Sequence, residues 1–121
     1  MATTTQIPRA DWPAYFDDFS RQHLRGDRPG LVTLEVLSPR LGDQVYAANA
    51  RLVGLTFDPR ADAFEVLLDG ADHLSFKPTE IWVLEGAPEL LAVFELVHAD
   101  GTRELIHVRE GGPLAPSDAA A

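Results

Sequence analysis

The sequence predicts an α+β fold that is mainly β, with one N-terminal helix packed on a curved antiparallel sheet, or small open barrel, of five to six strands. Three observations lead there. Trp12, Tyr15, Phe16 and Phe19 fall at i, i+3, i+4 and i+7, a single helical stripe. Nearly every segment after residue 30 is a short apolar, partly β-branched run bounded by turn residues. No second helical pattern separates those runs, so parallel βαβ units are not expected. At 121 residues the chain is sized for one domain. The expected division is a disordered N-terminus over 1–10, a single helix-plus-sheet domain over 11–109 and a disordered tail over 110–121, EGGPLAPSDAAA.

The helix opens with Asp11 as a candidate N-cap and Pro13 in its first turn, where a missing N–H costs nothing. Asp17, Asp18 and Arg21 lie off the aromatic stripe, and Arg21, His23 and Arg25 suit the negative C-terminal pole. Gly26 is the expected C-cap, with Pro29-Gly30 barring continuation. The stripe could serve as a ligand platform, but such a face more often docks a helix on a sheet. Trp12, Tyr15, Phe16 and Phe19, with Trp82, are therefore read as packing or interface anchors.

The first strand is Leu31 to Leu37, LVTLEVL, with Val32, Leu34 and Val36 on the core side. Ser38 to Asp43 forms a loop, and Gln44 to Ala47 a short edge piece that runs into the next strand. Arg51–Phe57 and Phe64–Leu68 then form a central hairpin. Asp58 can accept a backbone hydrogen bond and Pro59 fixes its own φ, so Asp58-Pro59-Arg60-Ala61 suits a type I turn. Both parities of RLVGLTF are apolar, which predicts cover on both sides of that strand. Gly54 marks a bend, a bulge or a close approach. After a turn at 69–72 come a short extended piece, His73–Phe76, and a clearer strand, TEIWVLE at 79–85, that also looks sandwiched.

Leu90–His98 and Thr102–Arg109 make a terminal hairpin. Asp100-Gly101 is a two-residue turn signal of the I′ kind. That turn would set Val97 opposite Glu104, Leu96 opposite Leu105 and Phe94 opposite His107. One surface would then carry Phe94, Leu96, His98, Arg103, Leu105 and His107, and the other Val93, Glu95, Val97, Glu104, Ile106 and Val108. One helix covers only part of such a sheet. Either the sheet curls into a barrel or a second copy covers it.

Asp and Glu number 19 against 10 Lys and Arg, a formal charge of −9. Nucleic acid and anionic membrane need positive fields and are not expected as partners. There is no cysteine, which removes disulfide scaffolds, thiol catalysis and cysteine-based metal sites and fits a reducing compartment. No apolar run approaches the ~18 residues of a membrane span, and MATTTQIPRADW lacks the pattern of a signal peptide. The expected location is the cytoplasm.

Motifs that force a chemistry are missing. His23, His73, His98 and His107 form no HxH or HxxxH pair, so no metal is expected. Asp69, Asp72 and His73 cluster in one turn without the spacing of a calcium loop, and turn capping explains them. Glu95 and Glu104 could act as an acid–base pair only inside a pocket, and otherwise read as rim charges. Neither Ser20 with His23 nor Ser75 with His73 has a nucleophile's glycine setting, and Lys77, the sole lysine, belongs to no phosphate motif. No catalytic residue and no cofactor is assigned. The candidate ligand-binding residues are His98, Arg103 and His107, placed together by the I′ register.

The ensemble of Trp12, Phe16, Phe19-Ser20 and His23, the strand LVTLEVL, Gly42, Gln44-Val45, Leu52, Gly54, His73-Leu74, Pro78-Thr79 and Ala99-Asp100-Gly101-Thr102 resembles a family of small uncharacterised bacterial proteins, the domain of unknown function 5335. The resemblance covers most of residues 11–109. It implies no catalytic residues. The expected function is a non-enzymatic interaction or accessory module, self-associating as a homodimer through sheet surface or binding another protein. The alternative is a small-molecule-binding domain or small hydrolase working at the sheet face near His98, Arg103 and His107.

Overall fold

The computed structural model describes residues 3–24, 30–69 and 73–111. Its elements are β1 (Thr3–Ile7), a 3-10 turn (Arg9–Asp11), α1 (Trp12–His23), β2 (Gly30–Ser38), β3 (Gly42–Asp58), β4 (Ala63–Leu68), β5 (His73–Phe76), β6 (Glu80–Glu85), β7 (Ala92–Val97) and β8 (Arg103–Glu110). The strands form one sheet in the order β1-β6-β7-β8-β2-β3-β4-β5, antiparallel throughout. The fold is therefore α+β and mainly β, with β1 and β5 as unjoined ends, so the sheet does not close. It has eight strands rather than the five or six expected.

The aromatic stripe of α1 lies in the hollow of this sheet. Trp12, Phe16 and Phe19 are buried, and Tyr15 packs against the same cluster. Phe16 meets Phe64 of β4 at 4.7 Å and Phe94 of β7 at 5.2 Å, ring centre to ring centre. Those strands are four places apart in the sheet order. One ring can touch both only if the sheet curls around the helix. Burying each such aromatic stabilises the fold by roughly 1.5–3 kcal/mol. Asp11 occupies the N-cap position without a side-chain cap bond, and Pro13 lies in the first turn. The helix ends at His23, with the Leu24 N–H bonded to the Ser20 carbonyl. The expected Gly26 cap and Pro29 stop fall outside the described residues.

Helix and sheet are also tied by polar contacts. β2 pairs with β3 only as far as Leu52, so the rest of β3 has an open edge on that side. Ser20 of α1 fills it: its Oγ donates to the Leu55 carbonyl at 2.8 Å and accepts the Leu55 N–H at 3.0 Å. One hydroxyl thus satisfies two strand groups that lack a ladder partner. Trp12 Nε1–H donates to the Ile7 carbonyl at 2.9 Å, fixing the junction of β1 with the helix. Arg9 lies over the Trp12 ring and pairs with Asp62 of the β3–β4 turn.

Three further sequence expectations change. Residues 3–7 form a strand, where no order was expected. Thr3-Thr4-Thr5-Gln6 is exposed and lacks apolar alternation, but threonine suits an edge strand, and only Ile7 is buried. The double apolar parity of Arg51–Phe57 does not mean cover on both sides. The register slips between Leu52 and Gly54, leaving Val53 as an extra residue that is 47% exposed. The bulge turns Leu52, Leu55 and Phe57 to the same inner face. Gly54 sits beside it, and a Cβ there would lie 3.3 Å from Leu67 Cδ1.

The third change is in the terminal hairpin. Val97 pairs with Arg103, Leu96 with Glu104 and Phe94 with Ile106, one residue away from the I′ register. Gly101 N–H bonds the His98 carbonyl at 3.0 Å and His98 N–H bonds the Thr102 carbonyl at 2.9 Å, so the loop holds three residues, with Gly101 at φ 90°. Asp100 Oδ1 accepts the Thr102 N–H at 2.9 Å and stabilises this wider turn. A one-residue slip moves every side chain of β8 to the opposite face. Glu104, Ile106 and Val108 therefore join Ala92, Phe94 and Leu96 inside. Arg103, Leu105 and His107 face outward.

Candidate functional site

The new register separates the three residues read as a ligand site. His98 lies at the rim of the inner face, where its Nε2 hydrogen-bonds Glu104 Oε1. Arg103 and His107 are on the outer face. Arg103 pairs with Glu95 at 3.3 Å, and His107 Nε2 lies 3.3 Å from Glu35 Oε1. The signal that could have exposed the split is the polar parity of β8: Arg103, His107 and Arg109 share one face, and Ile106 and Val108 share the other.

Two candidate regions result. The first is the outer face from β6 to β3. Across it run Leu84, Val93, His107 and Thr33 in one row, and Trp82, Glu95, Leu105, Glu35 and Val45 in the next. Glu80, Val97, Arg103, Leu37 and Asp43 make a third row. Trp82, Leu84, Val93, Val97, Leu105 and Leu37 are each partly exposed, and Val45 is 59% exposed. Trp82 Nε1–H donates to Glu80 Oε1 at 3.0 Å. Glu35 is held below the usual carboxylate range by its hydrogen bonds with Asp43 and His107, while Asp43 is raised by its hydrogen bond with Glu35.

The second is a depression beside the β7–β8 turn. Glu104 is the one buried charged residue among those described. Burial raises its carboxyl above the usual range, more than the His98 contact lowers it. Asp100, by contrast, is lowered by the Thr102 N–H it accepts. Among the described residues, no three or more His, Cys, Asp or Glu side chains gather as a metal site, and no helix is long and apolar enough to cross a membrane. Glu95 pairs outward with Arg103, so it does not share a face with Glu104. The turn grouping of Asp69 with Asp72 and His73 falls partly outside the described residues.

These features define a class before they define a chemistry: a single curled antiparallel sheet wrapped on one N-terminal helix, with an outer face that no described element roofs. Over residues 3–117 the chain matches the family of unknown function DUF5335, and it belongs to that family. It is also 35% identical, over 113 residues, to an uncharacterized protein of Aquifex aeolicus (strain VF5), spanning 92% of this chain and 96% of that one. No solved structure matches.

Proposed function

We propose that this protein is a cytoplasmic, non-enzymatic interaction module that works as a homodimer, with its outer sheet face covered by a second copy. The observation that carries this reading is the patch of partly exposed Trp82, Leu84, Val93, Val97 and Leu105, spread over three adjacent rows, which no described element of the chain roofs over. Five strands spaced ~4.8 Å apart and about 20 Å long present roughly 480 Å² in projection, and side-chain relief adds to this. A standard interface takes about 800 Å² per partner.

Apolar character favours a second copy. The chain carries −9 overall, and on this face Glu95 pairs with Arg103 and Glu35 contacts His107, while Glu80 and Asp43 add two further carboxylates. Between those charges lie Trp82, Leu84, Val93, Val97 and Leu105, the kind of apolar area that the core of a homodimer interface buries. Light scattering during size exclusion at micromolar concentration should give a dimer mass. Leu105→Arg, on the outer face, should give a monomer with an unchanged circular dichroism spectrum. Two acidic copies repel, so added salt should tighten the dimer, whereas it would weaken a complex with a basic partner. A wild-type monomer at every salt concentration would overturn the reading.

A further inference from the structure

Two stretches of chain converge beside the β7–β8 turn around a depression of about 550 Å³: Ser75 at the end of β5 with Lys77 just after it, and His98, Asp100, Thr102 and Glu104. That volume is in the range of small-ligand sites. Several of its polar groups are already committed. His98 Nε2 is bonded to Glu104 Oε1, and Asp100 Oδ1 to the Thr102 N–H. Asp100 keeps its charge at the exposed turn, and two further groups of opposite sign are left over. Lys77, the chain's one lysine, makes no ion pair with another described residue. Glu104 Oε2 accepts no hydrogen bond from a described residue, and Glu104 lines the depression.

From this remainder we infer that the depression binds a small zwitterion of amino-acid size, its ammonium on the Glu104 carboxylate and its carboxylate on Lys77. The hydroxyl of Ser75 is a further donor at the same rim. A ligand of one charge alone would gain one contact and meet a like charge. A molecule bearing both signs satisfies both groups. A site of this kind also accounts for a cost the fold carries. Glu104 lies on the inner face beside Leu96 and near Ile106, where an apolar residue would pack without desolvating a charge.

The test is a titration of the 15N-labelled full chain, with the amides of 73–77 and 98–104 as reporters. L-alanine, L-leucine and L-glutamine are added in turn to tens of millimolar, alongside propionate and ethylamine, the two halves of the zwitterion. Saturable shifts confined to those segments are expected with at least one amino acid, with both halves at least tenfold weaker. Lys77→Met and Glu104→Gln should each weaken binding at least tenfold while leaving the thermal midpoint unchanged or higher, as for groups kept for a ligand and not for the fold. No saturable shift with any of the three amino acids would overturn the proposal. So would propionate or ethylamine binding as well as the amino acid, or a Glu104→Gln chain that binds normally.

Discussion

Removing the Ser20 hydroxyl tests how the helix is joined to the sheet. In Ser20→Ala the Leu55 N–H and C=O lose the one partner they have among the described residues on the open side of β3. Leu55 is 1% exposed, so water has little room to replace the hydroxyl. Two hydrogen bonds at about 1 kcal/mol net each give a loss of about 2 kcal/mol, with more if the groups stay unsatisfied. Alanine is the better helix former by about 0.5 kcal/mol, which offsets part of this. The net loss should be about 1.5–2 kcal/mol. With an unfolding entropy of ~2.1 cal/mol/K per residue, that lowers Tm by roughly 6–8 °C. Calorimetry reads the midpoint, and amide exchange reads whether Leu55 loses protection. The sign is decisive, because helix propensity alone predicts a rise. A midpoint that stays or climbs, with Leu55 still protected, would refute the role given to Ser20.

Other perturbations probe the remaining joints. Phe16→Ala empties the point where β4 and β7 meet the helix and should cost about 3–5 kcal/mol by denaturant unfolding. A loss under about 1.5 kcal/mol would mean the sheet does not curl on that ring. Gly101→Ala forces a side chain onto a positive φ and brings its Cβ within 3.3 Å of Pro39 Cγ, so it should cost about 1 kcal/mol or more. An unaffected midpoint would argue for a different turn. Glu104→Gln carries a pH signature. The fold raises the Glu104 carboxyl, so its neutral form is the stabilised one. That stability is present below the ordinary value of 4.5 and is lost as pH rises through the raised one. Glutamine stays neutral, so its advantage over the wild type should be near zero at about pH 4 and grow toward about pH 7. An advantage that shrinks with pH would show the His98 contact outweighing burial.

Much of this architecture is legible in the residues. The i, i+3, i+4, i+7 aromatics give the helix and its buried face, because periodicity and burial are the same fact seen twice. The turn at Asp58-Pro59 is local chemistry, and the Asp58 carboxylate does accept the Arg60 N–H, at 2.9 Å. What escapes is set by pairing at a distance. β1 owes its existence to β6, since nothing within Thr3–Ile7 announces a strand. The Val53 bulge is invisible to a strict period of two, which reads its consequence as double cover. Asp100-Gly101 fits both a two-residue and a three-residue loop. The choice between them rests on the Asp100 bond to Thr102 and on which parity of β8 can be buried. That single slip scatters His98, Arg103 and His107 and brings inside Glu104, which the sequence alone reads as a rim charge.

The unroofed sheet face can be interrogated directly, because the chain has two tryptophans in opposite settings. Trp12 is 1% exposed in the core, whereas Trp82 is partly exposed on the outer face. Acrylamide quenching across a dilution series therefore reports on Trp82 alone. If a second copy covers the face, quenching should be weak in the concentrated dimer and rise as dilution releases monomer, and Leu105→Arg should be strongly quenched at every concentration. A wild-type dimer whose Trp82 is quenched as readily as in the Leu105→Arg chain would place the contact elsewhere and contradict the account.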